Sequence, residues 1–182
     1  MYVLLRIALL FSLLRVGFPA LAQYTSWKPT FNPMDVRQAL FYIQKPHLMN
    51  LSNYLGHTVR DKMDDCKAES ALFHFRVNSQ GKIDSIRVEG NLRAAYKTII
   101  VTNIKSTEGK WQLPQNTRPE DYCWFIYPHF VFGYTYSCPP ESMELYRIQQ
   151  THYEVYNRLK PQTETRYGIL LSPRELPTMP RR

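Results

Sequence analysis

Two alternating apolar segments around a short turn constrain the fold of this 182-residue chain more than any other feature. From Ala71 to Val77 every second residue is apolar, a period-two pattern that is typical of a strand with one buried face. Residues 78–81 (NSQG) are turn formers, and the glycine among them is free to adopt a positive φ. Ile86 and Val88 then share one side of the second segment. The sequence therefore predicts a β-hairpin that packs one face against a core.

A helical stripe and an aromatic segment come after this hairpin. Apolar residues recur at helical spacing from Leu92 to Ile104, and Asn91 is in place to cap that helix. Residues 121–134 (DYCWFIYPHFVFGY) are rich in aromatic and β-branched side chains, which favours a third strand. Pro128 cannot donate a hydrogen bond to a neighbouring strand. The third strand is therefore expected at a sheet edge, or with a bulge or bend at this proline.

The order of these elements predicts an α+β fold. A hairpin, a crossover helix and a third strand form a small antiparallel three-stranded sheet of the split β-α-β type, with helices on one face and the first strand in the middle. Short helices are predicted before the sheet, around Val36–Ile43 and at Ser52–Cys66. The C-terminal extension is expected to contain a helix from about Glu141 to Lys160, a short strand at 167–173 and a loose tail. The inner side of that helix is expected to consist of Leu145, Ile148, Val155, Tyr156 and Leu159.

The N-terminal residues predict export from the cytoplasm. Residues 7–14 form an apolar run, and Ala20-Leu-Ala22 fits the small-x-small rule for signal cleavage. The run is shorter than the about 20 residues that a membrane-spanning helix needs, and Arg15 interrupts it. We therefore expect a signal peptide that is cut before Gln23, and a periplasmic or secreted protein without a membrane anchor. An uncleaved anchor is the alternative.

The three cysteines of the chain fit one disulfide bond and one free thiol. In the predicted sheet, the end of the third strand lies beside the start of the first. Cys66 precedes the first strand and Cys138 follows the third, whereas Cys123 lies about 20 Å away at the other end. A disulfide needs Cα atoms within about 7 Å. We therefore predict a Cys66–Cys138 bond and a free Cys123.

The charge and the reactive side chains exclude several classes of function. The net charge of +8 comes from scattered Lys and Arg residues, whereas nucleic-acid binding needs a clustered basic face. The cysteines and histidines lack the spacing of metal ligands. Asp64 and Asp65 are adjacent and do not share a helix face, and Cys123 and His129 are expected about 20 Å apart. The sequence predicts no catalytic residues, no cofactor and no metal, so we expect a protein that is not an enzyme.

The hairpin and the segments after it resemble the C-terminal domain of TonB, and more narrowly the TonB-like modules of Bacteroidetes. Those modules have the pattern F-x-V-x-x-x-G-x-I-x-x-I-x-V, followed by a helix, a Trp and a Pro. The matching positions here are Phe75, Val77, Gly81, Ile83, Ile86, Val88, Trp111 and Pro114. The resemblance covers residues 51–134, which we take as a TonB C-terminal-like domain. The chain then divides into the predicted signal peptide (1–22), a lead-in with a short helix (23–50), this domain and an extension (135–182).

The resemblance implies a module that binds proteins in the periplasm or cell envelope, where TonB-dependent transmembrane transport takes place. In TonB the domain pairs with a short extended segment of an outer-membrane receptor, by addition of a strand to a sheet edge. The outer edge of the third strand is then the expected site, and packing in the core is the alternative role of its aromatic side chains. The residues predicted to contact a partner are Trp124, Ile126, Phe130 and Phe132.

Three alternatives to this prediction stay open. The extension could itself pair with the sheet edge, in which case residues 167–172 would lie along residues 124–132 and close the binding edge. A small secreted enzyme or ligand-binding protein would instead show a deep pocket with convergent polar groups. A purely structural envelope protein would show neither a free edge nor an exposed apolar patch.

Overall fold

The computed structural model describes residues 27–33, 50–59, 66–132, 138–159 and 162–174. The predicted signal peptide with its cleavage site, the predicted helix around Val36–Ile43 and the C-terminal tail lie outside the described residues. In chain order the described elements are β1 (Thr30–Phe31), α1 (Leu51–Gly56), β2 (Ala68–Asn78), β3 (Ile83–Gly90), α2 (Ala94–Lys105), β4 (Trp111–Gln112), β5 (Tyr122–Phe132), α3 (Pro140–Arg158), β6 (Thr163–Thr165) and β7 (Gly168–Leu170).

The centre of the fold is a five-stranded sheet with the strand order β3-β2-β5-β7-β6. The predicted α+β class and the central place of β2 between β3 and β5 are confirmed. The predicted size of three strands was wrong, because β6 and β7 extend the sheet and β1 and β4 form a second, two-stranded sheet. The strand β7 confirms the short strand that was predicted at 167–173. The other three have two or three residues each, too few to show a period-two pattern in the sequence. The sheet is mixed, since β7 runs parallel to β5.

The turn between β2 and β3 forms as the sequence predicts. Gly81 has a φ of 71°, a conformation that favours glycine, and its N–H donates to the Asn78 carbonyl at 2.8 Å. The side-chain oxygen of Asn78 accepts from the N–H groups of Gln80 and Lys82, both at 3.0 Å. The turn is thus closed by its own residues, which fixes the register of the hairpin.

The core lies between one face of the sheet and the helices α1 and α2. The odd-numbered side chains of β2 and β5 point into it, and the rings of Phe75 and Phe125 stack at 5.4 Å. Leu55 of α1 and Ile100 and Ile104 of α2 are fully buried against them. Burial of side chains of this size contributes roughly 1.5–3 kcal/mol each, so this layer is the main source of stability.

The helix α2 begins with a different cap from the one predicted. Its apolar face is buried as expected, but Asn91 lies before the helix and bonds to β2 instead, accepting from the Ser70 N–H at 3.0 Å. The Arg93 N–H at the helix start donates to the Glu69 carboxylate at 3.0 Å. A buried carboxylate from the neighbouring strand therefore replaces the local cap, which only the folded sheet could place there.

The helix α1 ends at Gly56, well before the end of the predicted segment Ser52–Cys66, of which residues 60–65 lie outside the described residues. It is capped by Asn50, whose side-chain oxygen accepts from the Ser52 N–H at 2.9 Å. The guanidinium of Arg174 donates to the carbonyls of Gly56 and Val59, each at 2.8 Å, and so binds the groups at the helix end. The apolar stripe at a spacing of four continued past this point in the sequence, but the chain turns there.

The helices α1 and α2 lie on one face of the sheet as predicted, and the long helix α3 of the C-terminal extension packs on the opposite face. The ring of Phe130 lies 5.9 Å from the rings of both Tyr153 and Tyr156. Gln149 is buried and donates to the carbonyls of Glu69 and Val131 at the end of the β2–β5 pair. The predicted extent of this helix agrees with the structure. Its predicted inner side agrees only in part, because Tyr156 contacts the sheet but Leu145, Ile148 and Val155 are exposed.

The disulfide prediction is confirmed. Cys66 and Cys138 are bonded, with their Cα atoms 5.3 Å apart, and Cys123 is free and buried. The pairing follows from the strand order, because Ala68 at the start of β2 lies opposite Phe132 at the end of β5.

Candidate interaction surfaces

The edge of β5 that the sequence predicts as the partner site is occupied in part by the chain itself. The strand β7 pairs with β5 at Phe125 and Ile126, and the Leu171 N–H donates to the Ile126 carbonyl at 2.9 Å. The C-terminal extension has therefore folded back onto this edge. Addition of a partner strand at Phe125 and Ile126 would have to displace β7.

Pro128 explains where the pairing with β7 ends. Backbone groups alternate between the two sides of a strand, so Pro128 points to the same side as Ile126, which bonds to Leu171. The proline has no N–H to donate on that side, and the described pairing stops before it. The expectation that the third strand lies at a sheet edge was therefore wrong, although the described pairing with β7 stops before this proline.

The four residues predicted to contact a partner differ in their accessibility. Trp124 is half-buried, whereas Ile126 and Phe130 are buried, the latter under α3. The side chain of Phe132 lies outside the described part of the structure. Trp124 is thus the one of the three described side chains that retains appreciable contact with solvent.

The strand β3 forms the long free edge of the sheet. It is the last strand on its side, and the strand at the other edge, β6, has only three residues. The backbone groups of Asn78 and Ser70 form hydrogen bonds on the β3 side of β2. Because these groups alternate along a strand, the even-numbered residues of β2 direct their N–H and C=O groups toward their partners Ser85, Arg87 and Glu89. The backbone groups of Ile86 and Val88 consequently point away from the sheet.

Two side chains close the ends of this edge and leave its middle open. The carboxylate of Glu108 accepts from the Ile83 N–H at 3.0 Å, and the Lys97 ammonium donates to the Gly90 carbonyl at 3.0 Å. Between these two contacts, the described residues place no strand beside Ile86 and Val88. The open stretch therefore offers two N–H groups and two C=O groups in line.

An arginine between two aromatic rings lies next to this edge, on the sheet face opposite α1 and α2. The guanidinium of Arg76 lies 5.1 Å from the ring centre of Tyr122 and 5.7 Å from that of Trp124. Its Nε donates to the Asp84 carboxylate at 2.7 Å, and this hydrogen bond raises the pKa of Arg76. Arginine and large aromatic side chains of this kind dominate the energetics of many protein interfaces.

A buried polar cluster lies under β5. The ring of His129 is 2% exposed, and its Nδ1 lies 3.1 Å from the Tyr127 hydroxyl. Burial lowers the pKa of His129 to about 3, and the nearby positive charge of Arg174 acts in the same direction. The histidine is therefore neutral, and it is enclosed by the core.

The described groups that could carry acid–base or nucleophilic chemistry do not converge on a pocket. A cavity of about 240 Å³ lies beside Phe31, Leu51 and Leu171, and neither His129 nor Cys123 lines it. Burial raises the pKa of the Cys123 thiol to about 12, so it is a poor nucleophile at neutral pH. Asp64 and Asp65, which the sequence offers as a carboxylate pair, lie outside the described residues.

The described residues form neither a metal-binding cluster nor a membrane-spanning helix. In the ranges that the structure describes, His, Cys, Asp and Glu side chains form no group of three or more that could hold a metal ion. No helix within these ranges combines the length and apolar character that are needed to cross a bilayer.

Comparison with known proteins returned no match. No family model matches the chain, and neither a curated protein nor a solved structure matches it. The resemblance to the TonB C-terminal domain therefore stays a prediction from the sequence.

Two surfaces were missed at the level of sequence, the β3 edge and the outer side of α3. The first could have been found, because a central first strand leaves the second strand at an edge of the sheet. The sequence of α3 also contains the signal for its exposed side, since the helix has one aliphatic and one aromatic stripe. The aromatic stripe and Gln149 face the sheet, which leaves the aliphatic stripe exposed.

Proposed function

We propose that this chain is an exported protein-interaction module that binds an extended segment of a second cell-envelope protein by adding it as a strand to β3. The observation that carries the proposal is the open middle of the β3 edge, where the backbone groups of Ile86 and Val88 point away from the sheet. An unpaired edge of this kind is a template for another strand, and several peptide-binding domains use it in this way.

The side chains around the edge suit an extended ligand with alternating character. Arg87 and Glu89 project from one face of β3 and are exposed, beside the Arg76 and Trp124 pair. Ile86 and Val88 pack against the core on the other face. A ligand strand with polar side chains on the first face and apolar side chains on the second would continue both layers.

Export is the second part of the proposal, and the disulfide supports it. Disulfide bonds persist in oxidising compartments such as the periplasm and are rare in the cytosol. The Cys66–Cys138 bond thus agrees with the signal peptide predicted at residues 1–22. With the resemblance to TonB, this favours a partner in the envelope, such as an outer-membrane receptor, and a setting in TonB-dependent transport.

Selection of peptides on the processed chain tests the binding mode directly. Random ten-residue peptides displayed on phage would be selected on the immobilised protein, and the selected peptides titrated while amide shifts are followed by NMR. We expect the largest shifts at Ile86 and Val88. The variant Val88→Pro removes one outward N–H and should weaken binding at least about tenfold, because a lost and sterically blocked hydrogen bond costs more than ~1 kcal/mol.

The matched control is Val88→Thr, which changes the same β-branched side chain but leaves the outward backbone N–H in place. It should bind the selected peptides with an affinity close to that of the unchanged protein. Peptides that shift a different surface, or equal binding by Val88→Pro, would contradict strand addition at β3. Failure to select any peptide would favour the structural alternative.

A further inference from the structure

The helix α3 has a second apolar stripe that the fold leaves uncovered. Leu145 is 60% exposed, Ile148 46% and Val155 56%, and all three lie on one side of the helix. The neighbouring side, about a quarter turn around the helix, is occupied, since Gln149, Tyr153 and Tyr156 contact the sheet. Isolated exposed aliphatic residues are ordinary, but a stripe along one helix is typical of an interface.

The spacing of this stripe is that of a heptad. Leu145, Ile148, His152, Val155 and Leu159 succeed one another at intervals of three and four residues, as a and d positions do. The helix has 19 residues and is therefore about 28 Å long at 1.5 Å per residue, enough for two heptads. The stripe thus matches the surface that a second helix of similar length would cover.

The charges beside the stripe select the direction of that second helix. Glu144 flanks the stripe near the start of α3, and Arg158 flanks it near the end. An antiparallel pair of identical helices places Glu144 of each copy beside Arg158 of the other, whereas a parallel pair places like charges together. The helix dipoles also favour the antiparallel pair. In this pair Leu145 of one copy lies opposite Val155 of the other, and Ile148 lies opposite His152. These four positions form the contact line between the two helices, and Leu159 lies at its end.

A membrane surface suits this helix less well than a protein does. The helix carries three acidic and two basic residues, a net charge of −1. Helices that lie on anionic bilayers usually have a polar face rich in Lys and Arg, whereas the exposed polar residues of α3 are of both signs.

From the exposed stripe and its complementary charges, we infer that two copies of this chain associate through α3 as an antiparallel, two-fold symmetric helix pair. The interface is self-complementary, as two-fold symmetry requires. It uses a different face of the molecule from the β3 edge, so each copy keeps its edge open and the dimer carries two strand-binding sites.

Sedimentation equilibrium of the processed full chain tests the association. We expect the mass to double at concentrations up to about 200 μM, because an interface of one helix pair is small and its affinity modest. Ile148→Glu should weaken dimerisation at least tenfold. The matched control is Gln150→Glu, which adds the same charge two residues away, off the stripe, and should leave the dimer intact. Circular dichroism of both variants shows whether the monomer fold is retained.

Cysteine cross-linking tests the antiparallel arrangement. Thr151 lies near the two-fold axis of the proposed pair, so Thr151→Cys should form a covalent dimer on mild oxidation. Two copies of Glu144 would be about 20 Å apart at 1.5 Å per residue, so Glu144→Cys should not. Glu144→Arg and Arg158→Glu should each weaken the dimer, and the double variant should restore it.

Several results would overturn the inference. These are a monomer at every concentration, a dimer that Ile148→Glu leaves unchanged, or covalent dimers from both cysteine variants. A monomer that binds phosphatidylglycerol vesicles through Ile148 would assign the stripe to a membrane instead. A monomer whose stripe is covered by a different protein would equally exclude the second copy as its occupant.

Discussion

His129 is the buried group whose charge state matters most for stability. Its folded pKa of about 3 lies below the usual value of 6.5, because burial and the charge of Arg174 disfavour the imidazolium. Between these two pH values the unfolded chain binds a proton that the folded chain does not. The stability that the neutral histidine contributes is therefore complete above about pH 6.5 and is lost progressively as the pH falls toward 3.

We expect the free energy of unfolding to fall as the pH is lowered from 7 to 5, with a slope that approaches about 1.4 kcal/mol per pH unit. The substitution His129→Gln removes the titrating group and should flatten this profile, whereas the same change at the exposed His152 should not. Urea unfolding at several pH values measures all three proteins. Parallel profiles for the unchanged protein and His129→Gln would contradict the assignment.

The buried carboxylate of Glu69 changes the stability only at a pH below the range of 7 to 5 in which His129 acts. Burial raises the pKa of Glu69, but its hydrogen bonds and charge interaction with Arg93 lower it by more, to below the usual 4.5. Its contribution is therefore lost only below that pH, as the folded state takes up its proton. Between pH 7 and 5 the change in stability is therefore assigned to His129 and not to Glu69.

The short helix α1 depends on a residue 118 positions away in the sequence. Six residues are too few for an independent helix, so its end is held by the hydrogen bonds from Arg174 to Gly56 and Val59. Gly56 leaves room for this contact, since a Cβ there would lie 2.7 Å from both the Arg174 side chain and the Tyr127 hydroxyl. The C-terminal segment is thus part of the domain.

We expect Arg174→Ala to lower the free energy of unfolding by roughly 1–3 kcal/mol, because it leaves two carbonyls at the end of α1 without a donor. Arg174→Lys should recover part of this loss. The control is Arg147→Ala on the exposed side of α3, which should change stability by less than about 0.5 kcal/mol. Urea unfolding gives the values, and faster amide exchange at Val59 in Arg174→Ala alone would locate the effect. Equal losses in the two alanine variants would refute it.

The elements that could be predicted from the sequence are those with local signals. The β2–β3 hairpin carries its own turn in Asn78 and Gly81, and α2 shows a complete apolar stripe. The inner side of α3 could not be predicted by counting aliphatic residues, since the helix presents two stripes. The sheet binds the aromatic stripe, where Tyr153 and Tyr156 reach Phe130.

Across the whole molecule, the order of β3, β2 and β5 was predictable, but whether the outer edge of β5 is open or paired was not. The pairing of β7 with Phe125 and Ile126 joins segments about 44 residues apart through two residue pairs, so the sequence predicted the short strand but left its pairing as one alternative. Because β7 occupies part of the β5 edge, the candidate binding edge is β3 and not β5. The disulfide was predictable because it needs only the strand order and the limit on Cα separation.

The bond between Cys66 and Cys138 links the start of the central strand to the extension that carries α3 and β7. It closes a loop with a sequence separation of 72 residues, which in the chain-entropy model stabilises the fold by about 4 kcal/mol. We expect Cys66→Ser/Cys138→Ser to lose most of this free energy in urea unfolding. Both α3 and β7 belong to the extension that this bond anchors. We therefore expect both elements to be destabilised in the double variant.

Thiol counting provides the control for this prediction. In concentrated denaturant without reductant, iodoacetamide should label one cysteine per chain, and Cys123 should be that residue. It should stay unlabelled in the native protein at about pH 8, because the buried thiol has a pKa of about 12. Cys123→Ala serves as the background for the double variant, so that no new disulfide can form. Three labelled thiols in exported protein, or an unchanged stability of the double variant, would show that the bond does not hold the extension in place.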